Sequence, residues 1–476
     1  MENTSFNFTQ GQQRALELLN NFIASTSEKV FILKGYAGTG KTTLVKEIIR
    51  VFKEKDLPIS LLASTGRAAK ILSNITGCPA STVHSAIYEY KDFNQNLEKI
   101  ASEREQYKVD KSGQLLLQFE LTVLPESNKK RIYIIDEASM IGNEKDKVAA
   151  QALFGSGQLL NDLLKYDPNG KFIFVGDVCQ LPPINDEISP ALSEDHFSAK
   201  YDIQPKCVEL TEIVRQDNAN DIITASHKIR KLYADPPQIK WGKFPLRNCL
   251  NIKIFPDQAS MLNDYVRSIK KDGYNKATLI CRTNKSCDVI TSLIRPALGL
   301  TQDKMQVGDL LLITQNNLIS GLMNGDLVEV ISVGLPKRRA NLSFIQVEVK
   351  ELFTQKVYSQ LMIEEILYNN QTNLTQEQQK ELFMDYFFRM RNLGLKQEDY
   401  EFKDRMRTDI YLNALRAVFG FALTCHKSQG GEWDHVYLDI PRNFPLNPTK
   451  ETYQWLYTAM TRAKNQLYIT EGFWLV

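Results

Sequence analysis

The chain has 476 residues, of which 43% are hydrophobic, and a formal net charge of +2. This length suits about three domains of roughly 150 residues, and the apolar content excludes a disordered or fibrous protein. Balanced charge leaves nucleic-acid binding open, because a basic groove can lie on a nearly neutral protein. The sequence shows neither an export signal nor an apolar stretch of about 18 residues, so we expect a cytoplasmic protein without membrane contact.

The first 70 residues alternate between helical and strand patterns. An amphipathic run at 10–23 precedes the apolar "KVFILKG", a glycine-rich turn, the helical "TTLVKEIIRVFKEK" and the apolar "ISLLAS". Such alternation predicts an α/β fold with a parallel sheet covered on both faces. "RIYIIDEASM" and "KFIFVGD" add two strands that each end in a carboxylate. Ligands bind at the carboxyl ends of such strands, so a site is expected there.

Later segments predict further units. Residues 88–128 hold two β-prone segments around Lys111-Ser112-Gly113, which indicates a hairpin inserted into a first domain of 1–87 and 129–210. A second α/β domain is predicted at 211–300 and 412–476, with strand, helix and strand from 417 to 468 returning to its sheet. Between them, at 301–411, "VGDLLLITQNN" and "NGDLVEVISVG" predict antiparallel strands of a small β module. The charged, helix-prone segment 364–411 is interpreted as a solvated elaboration.

"GYAGTGKT" matches the pattern GxxxxGK[ST] and follows a strand and opens a helix, as a phosphate-binding loop requires. Lys41 would reach the terminal phosphates of ATP, and the Thr42 hydroxyl could bind Mg²⁺. At the next acidic strand end, Asp136 would hold the Mg²⁺ and Glu137 would orient or deprotonate the attacking water. The remaining predicted nucleotide contacts from this loop are Gly35, Gly38, Thr39, Gly40 and Thr43.

Seven cysteines and five histidines lie scattered, without a CxxC pair or clustered histidines. This spacing argues against a disulfide framework and against a zinc site. One adjacent pair, Cys425 and His426 in "TCHKSQGGEW", suggests a thiol nucleophile at first sight. Neighbouring residues on a strand point to opposite faces, however, so a catalytic dyad is disfavoured.

The ordered motifs resemble those of the superfamily 1B DNA helicases, most closely the Dda-like and RecD-like branch. They are "FTQGQQRAL", "GYAGTGKT", "LLASTGRAAKIL", "ASTVHSAI", "IIDEASM", "VGDVCQLPPI", "LTEIVRQ", "TCHKSQGGE" and "LYTAMTRAK". The resemblance spans essentially the whole chain. It implies two RecA-like domains that sandwich ATP, and an ATP-dependent helicase that moves 5′ to 3′ on single-stranded DNA. It further implies a nucleoid-associated monomer that acts at single-strand/double-strand junctions.

The resemblance also implies roles for individual residues. Gln12 would read adenine, Gln180 would sense the γ-phosphate, and Glu432 would approach the ribose. Arg215 and Arg462 would bring positive charge from the second domain, a contribution worth roughly 10³–10⁵ in rate where measured. The module corresponds to an SH3-like insertion, and the 88–128 hairpin to a strand-separating pin. The predicted DNA contacts are Ser64, Thr65, Arg67, His84, Thr283, Asn284, Thr424, His426, Lys427 and Ser428.

Two other functions remain open. The chain could be a motor or loading subunit of a larger recombination or repair complex that unwinds little alone. It could also be a nucleic-acid-binding NTPase switch, although that class needs no second set of RecA-like motifs. Within the helicase interpretation, "TCHKSQGGEW" is a coupling element: its first half faces the DNA backbone, and Gln429, Gly430 and Glu432 turn toward the nucleotide.

Overall fold

The computed structural model describes residues 8–106, 114–124, 130–145, 152–214, 220–369, 371–444 and 446–476. These residues contain four β-sheets, of which two are entirely parallel. The predicted α/β fold with two parallel sheets is confirmed. Among the described helices, none is long and apolar enough to cross a membrane.

The first parallel sheet has six strands, and both of its faces are covered by helices. Its central strands are almost wholly buried runs of β-branched and aromatic residues, as expected of a covered parallel sheet. In spatial order the strands are Ala80–Thr82, Ile59–Ala63, Ile132–Asp136, Lys171–Gly176, Val30–Gly35 and Lys206–Leu210. The helices of this domain are Gln10–Ala24, Lys41–Glu54, Gly66–Thr76, Val83–Ile87, Leu159–Tyr166 and Glu194–Tyr201. The carboxyl ends of all six strands therefore lie at one edge.

The second parallel sheet has five strands. In spatial order they are Ile252–Phe255, Ala463–Thr470, Trp433–Leu438, Ala277–Cys281 and Leu423–Thr424. The associated helices are Asp221–Ala234, Gln258–Asp272, Asn284–Ala297, Cys425–Ser428 and Lys450–Met460. We call the last of these the closing helix. Every residue of it from Thr452 to Met460 is buried, because it lies between its own sheet and the first domain.

A third sheet is antiparallel and forms the small β module. Its strands are Val357–Ile363, Leu342–Glu351, Leu327–Arg339, Leu310–Ile313 and Ala417–Phe419. The predicted antiparallel strands of the module are confirmed, but the assignment of Ala417–Phe419 to the second parallel sheet is wrong. At Gly420 a Cβ atom would lie 3.1 Å from the Leu311 carbonyl carbon, so the chain passes close to the backbone of the strand Leu310–Ile313 here. It re-enters the parallel sheet only at Leu423.

The insertion after residue 87 forms a fourth sheet from Tyr88–Phe93, Leu117–Leu121 and Ala152–Phe154. This arrangement differs from the predicted hairpin, because the sheet has a third strand and a helix lies between the two antiparallel strands in sequence. Leu117–Leu121 pairs antiparallel with Tyr88–Phe93, and the helix Leu97–Glu105 lies between them in sequence. The predicted turn at 111–113 lies outside the described residues.

The helices Gln376–Asn392 and Tyr400–Thr408 pack against this insertion, so the interpretation of 364–411 as a solvated elaboration is wrong. The rings of Phe93 and Phe383 meet edge to face with centroids 5.0 Å apart. At the same contact the Gln397 side-chain oxygen accepts from the buried Leu97 N–H at 2.7 Å. Apolar burial between segments about 300 residues apart joins the module to the insertion, and we call this contact the brace.

Candidate nucleotide and DNA sites

The phosphate loop, Gly35–Thr42, joins the strand Val30–Gly35 to the helix that begins at Lys41. Gly38 and Gly40 have φ angles of +82° and +74°, a region that favours glycine. The Lys41 ammonium donates to the carbonyls of Gly35 at 2.7 Å and Tyr36 at 3.2 Å. The loop and the helix N-terminus therefore direct amide groups and one positive side chain at the same point, as phosphate binding requires.

The other predicted loop residues differ in their exposure. Thr39 is fully buried, and its hydroxyl donates to the Tyr36 carbonyl at 2.8 Å, so its side chain shapes the loop from within. Thr42 is exposed and its hydroxyl can reach a ligand. A Cβ atom at Gly35 would lie 2.8 Å from Lys41 Cγ, so this glycine is required for the lysine to fold back over the loop.

The acidic strand end lies at the same edge of the sheet. Burial, and secondarily the neighbouring Glu137 carboxylate, raises the pKa of Asp136 to about 6, while the Lys41 ammonium opposes this shift. Glu137 follows with a φ angle of +51°, a left-handed conformation that costs a non-glycine residue of the order of 1–3 kcal/mol. Backbone strain of this kind is common at functional sites, and the roles of Asp136 and Glu137 in hydrolysis stay predictions.

Asp177–Leu181, which we call the sensor loop, begins one residue after the neighbouring strand, Lys171–Gly176, ends. Asp177 is fully buried and accepts from the Cys179 N–H at 2.9 Å. Gln180 is 5% exposed, and its side-chain oxygen has no hydrogen-bond partner among the described residues. A buried side-chain oxygen without a partner is rare, and here it belongs to the residue predicted to contact phosphate.

Of the two arginines predicted to approach the nucleotide, the structure describes Arg462 but not Arg215. Arg462 is 5% exposed and donates from Nε to the Thr458 carbonyl at 3.1 Å and from Nη1 to the Gly431 carbonyl at 3.4 Å. It therefore lies at the join between the closing helix and the glycine turn. Arg215 lies outside the described residues, and its role stays a prediction.

The two residues predicted to contact the nucleoside, Gln12 and Glu432, lie in different environments. The Gln12 amide is engaged at both ends: its oxygen accepts from the Thr9 N–H at 3.1 Å, and its nitrogen donates to the Thr39 carbonyl at 3.1 Å. It is 2% exposed and supports the phosphate loop, so adenine reading would need these bonds to rearrange. Glu432 is exposed at the domain surface, and its approach to a ribose stays a prediction.

In the first domain, the predicted DNA contacts surround two helix starts. Thr65 caps the helix Gly66–Thr76, with its hydroxyl accepting from the Ala68 N–H. His84 lies half-buried in the helix Val83–Ile87 and contacts Phe154 edge to face, with ring centroids 5.3 Å apart. The Ser64 hydroxyl is buried without a partner among the described residues. Helix starts and hydroxyls of this kind suit a sugar–phosphate backbone.

Arg67 lies at the contact between the two domains, and its role in DNA binding stays a prediction. Its guanidinium stacks on the Trp433 ring at 4.4 Å, and Nη1 is buried with no partner among the described residues. Burial lowers the pKa of Arg67 to about 10, with weaker opposing effects from nearby carboxylates. The side chain joins the two domains in this arrangement.

In the second domain, three of the predicted contacts lie together. Thr283 caps the helix Asn284–Ala297 and is exposed. Lys427 is half-buried and donates to the Asn284 side-chain oxygen at 3.3 Å. Burial lowers the pKa of the Lys427 ammonium, so a phosphate group beside it would restore favourable charge pairing. Thr424 and His426 are half-buried beside it.

The segment containing the cysteine–histidine pair is a short helix, Cys425–Ser428, not a strand end as predicted. Ser428 is fully buried and its hydroxyl donates to the Cys425 carbonyl at 2.7 Å, which contradicts a direct DNA contact by this side chain. Burial raises the pKa of the Cys425 thiol to about 12, so it is a poor nucleophile for a reason other than the strand geometry assumed from the sequence.

The glycine turn at Gly430 brings the two sets of contacts together. A Cβ atom at Gly430 would lie 3.4 Å from Thr65 Oγ1 and 3.3 Å from Ala68 Cβ. The turn of the second domain therefore lies directly against the Thr65 helix start of the first. Domain movement would change this contact and the phosphate-loop contacts together.

Sequence reasoning missed several residues at the domain interface. The Arg230 guanidinium lies 3.8 Å from the centroid of the Tyr36 ring in the phosphate loop. Tyr457 contacts both the phosphate loop and the sensor loop. These side chains carry no local sequence signal, and only the motif "LYTAMTRAK" marks the helix from which Tyr457 projects.

Comparison with known families and structures finds ATP-dependent DNA helicases among the similar proteins. Residues 7–239 match the family described as AAA domain, and residues 419–470 match the UvrD-like helicase C-terminal domain. The chain is 27% identical to the ATP-dependent DNA helicase dda of Enterobacteria phage T4, over 64% of this chain and 61% of that protein. It is 28% identical to the ATP-dependent RecD2 DNA helicase of Deinococcus radiodurans, over 45% of this chain and 23% of that protein. It thus spans less than two thirds of either relative.

A crystal structure of Pif1 helicase from Bacteroides, in complex with ADP-AlF3 and ssDNA, shares the fold. Its TM-score is 0.50 at 17% identity, over 98% of this chain and 93% of that one. In its fold, its ordered motifs and these relatives, the chain is similar to the superfamily 1B DNA helicases. Dda and RecD2, two of these relatives, represent the branch that its motifs predict.

Proposed function

We propose that this chain is an ATP-dependent DNA helicase that moves 5′ to 3′ along single-stranded DNA and opens duplex at single-strand/double-strand junctions. The observation that carries the proposal is the convergence of the phosphate loop, the acidic strand end and the sensor loop at one sheet edge, beneath the closing helix of a second parallel-sheet domain. A nucleotide bound between two domains can convert hydrolysis into relative domain movement.

The described side chains have distinct proposed roles in hydrolysis. Lys41 would neutralise charge on the terminal phosphate, and Glu137 would orient the attacking water and take its proton. Arg462 would strengthen phosphate binding as the domains close, if closure frees it from its carbonyl partners. Thr42 and Asp136 carry hard oxygen ligands that suit Mg²⁺, and the ion would offset negative charge on the phosphates when bound. Hydrolysis would then weaken the closed arrangement.

The proposed DNA path crosses both domains at their carboxyl-edge loops. Thr65 and His84 would contact the backbone from the first domain, and Asn284, His426 and Lys427 would contact it from the second. Because Gly430 packs against Thr65, closure would alter the spacing of the two sets of contacts. Alternating grip by two domains is sufficient to move a strand in one direction without reading its sequence.

Strand polarity is tested with matched duplexes that carry either a 5′ or a 3′ single-stranded tail. With ATP and Mg²⁺, the full chain is expected to displace the strand from the 5′-tailed duplex and to leave the 3′-tailed duplex largely intact. The measurement is fluorescence of a labelled strand on release, with omission of ATP as the control. ATP turnover that single-stranded DNA does not stimulate would contradict the helicase proposal.

The brace separates the helicase proposal from the loading-subunit alternative. A pin that splits duplex must resist force, and apolar packing on the Gln376–Asn392 helix supplies a rigid support. Deleting residues 105–120 would test the pin by removing part of the insertion. This deletion also removes most of the strand Leu117–Leu121, which holds the insertion together, so it is a poor test.

Phe383→Ala is a sharper change, since it removes a buried ring at a local cost of about 3–5 kcal/mol. We expect severalfold slower strand displacement from 5′-tailed duplex with DNA-stimulated ATP turnover retained. Phe353→Ala, at a ring of the same module that is 54% exposed, is the matched control. Equal displacement rates for the two variants would favour the loading-subunit alternative.

A further inference from the structure

Tyr457 of the closing helix bridges two loops of the opposite domain. Its hydroxyl accepts from the Ala37 N–H in the phosphate loop at 2.9 Å and donates to Asp177 Oδ2 in the sensor loop at 2.7 Å. The side chain is 1% exposed. A single hydroxyl therefore connects the phosphate loop, the sensor loop and the second domain.

Neighbouring side chains of the second domain hold the rest of the sensor loop by its backbone. Thr458 Oγ1 accepts from the Leu181 N–H at 2.9 Å, and the Gln429 amide donates to the Leu181 carbonyl at 3.2 Å. The Gln454 amide donates to the Gln180 carbonyl at 3.3 Å. All of these side chains are buried.

These contacts make the sensor loop depend on the second domain for its shape. Buried peptide groups need hydrogen-bond partners, and the Leu181 N–H and the carbonyls of Gln180 and Leu181 find theirs across the domain interface. If the domains separate, these groups lose their partners and the loop is free to change. The position of the Gln180 side chain then follows the state of the interface.

We infer that Tyr457 is a positioning residue that sets the register between the phosphate loop and the Gln180 sensor when the domains close. This inference rests on the proposed function and goes beyond it by assigning the coupling of DNA-stimulated hydrolysis to one hydroxyl on the closing helix. Tyr457 is buried and its hydroxyl is bonded to both loops, so it acts through the two loops that it joins.

The same helix supplies an internal comparison. Tyr453 lies one turn earlier and is also fully buried, but its hydroxyl has no hydrogen-bond partner among the described residues. The two tyrosines thus share burial, helix and chemistry, and differ in the bridge that only Tyr457 makes. A role in packing alone would make their hydroxyls equivalent.

The test compares Tyr457→Phe with Tyr453→Phe in the full chain, by steady-state ATP hydrolysis with and without oligothymidylate and by thermal unfolding. For Tyr457→Phe we expect DNA-stimulated kcat to fall about tenfold, equivalent to about 1.4 kcal/mol in the barrier. We expect the KM for ATP to change by less than about threefold, since no binding group is removed. Tyr453→Phe should match the unchanged protein in its DNA-stimulated kcat and in its KM for ATP.

A second variant protects the test from a folding defect. Thr458→Val keeps the side-chain shape and removes the acceptor for the Leu181 N–H. Like Tyr457→Phe, it should therefore lower the DNA-stimulated kcat for ATP hydrolysis. Equal effects of Tyr457→Phe and Tyr453→Phe, or a rise in KM with kcat intact, would overturn the inference. Absence of DNA-stimulated turnover in the unchanged protein would instead overturn the proposed function, and with it the inference.

Discussion

Lys41→Ala is expected to lower DNA-stimulated ATP turnover by at least roughly 10²-fold, the loss typical of removing one preorganised charge-stabilising group. The ammonium is held over the phosphate loop by the carbonyls of Gly35 and Tyr36, close enough to Asp136 to oppose its raised pKa. Removing it should also weaken nucleotide binding. Single-stranded DNA binding without nucleotide should persist, because Thr65 and Lys427 lie on other loops.

Lys46→Ala is the matched control, since Lys46 is an exposed residue of the same helix and its loss changes net charge equally. Steady-state hydrolysis and fluorescence anisotropy with a labelled oligonucleotide measure the two properties separately. Similar turnover in the two variants would remove Lys41 from the hydrolytic site. A parallel loss of DNA binding in Lys41→Ala would show that the change disturbs the domain as a whole.

The phosphate site could be predicted in detail because its determinants are local. Glycines at positions 38 and 40 supply left-handed conformations within one turn, and the helix begins at the lysine that the pattern requires. The acidic pair at 136–137 likewise follows from a short apolar strand that ends in carboxylates. Each of these features depends on about ten consecutive residues, so hydrophobic patterning and turn chemistry are sufficient to place them.

Strand partners and the brace depend on distant segments and escaped prediction. The apolar runs around Gly420 resemble one continuous strand, but their pairing partners belong to different sheets. Similarly, the helix at 376–392 has a charged composition, and its buried aromatic face is explained only by the insertion near Phe93. An apolar face packs against whichever segment lies next to it in space. The residues adjacent in sequence do not show which segment that is.

Side-chain direction was the weakest part of the site prediction. The motifs predict DNA contacts for Ser428 and Arg67, yet the Ser428 hydroxyl donates to its own helix and the Arg67 guanidinium stacks on Trp433. The sequence also gave no reason to distinguish Tyr457 from Tyr453. Only the hydrogen bonds of Tyr457 to two loops of the opposite domain distinguish it from Tyr453.

Glu137→Gln is expected to lower kcat for ATP by roughly 10²–10⁴-fold, the range for loss of a positioned general base. Glutamine has nearly the same shape and leaves the left-handed backbone at this position unchanged. It also removes the like charge that helps to raise the pKa of Asp136, so that carboxylate stays ionised near neutral pH. Nucleotide affinity should therefore remain close to that of the unchanged protein, unlike in Lys41→Ala.

The contrast with Lys41→Ala makes this prediction specific, since the lysine contributes to binding and to turnover, whereas the glutamate contributes to turnover. With ATP present, Glu137→Gln should hold single-stranded DNA longer, because the closed state no longer decays by hydrolysis. Stopped-flow release of labelled DNA measures this lifetime, and Glu144→Gln, at an exposed residue of the same domain, is the matched control. Fast release combined with slow hydrolysis would mean that hydrolysis does not govern the grip on DNA, and the coupling between the two sites would have to lie elsewhere.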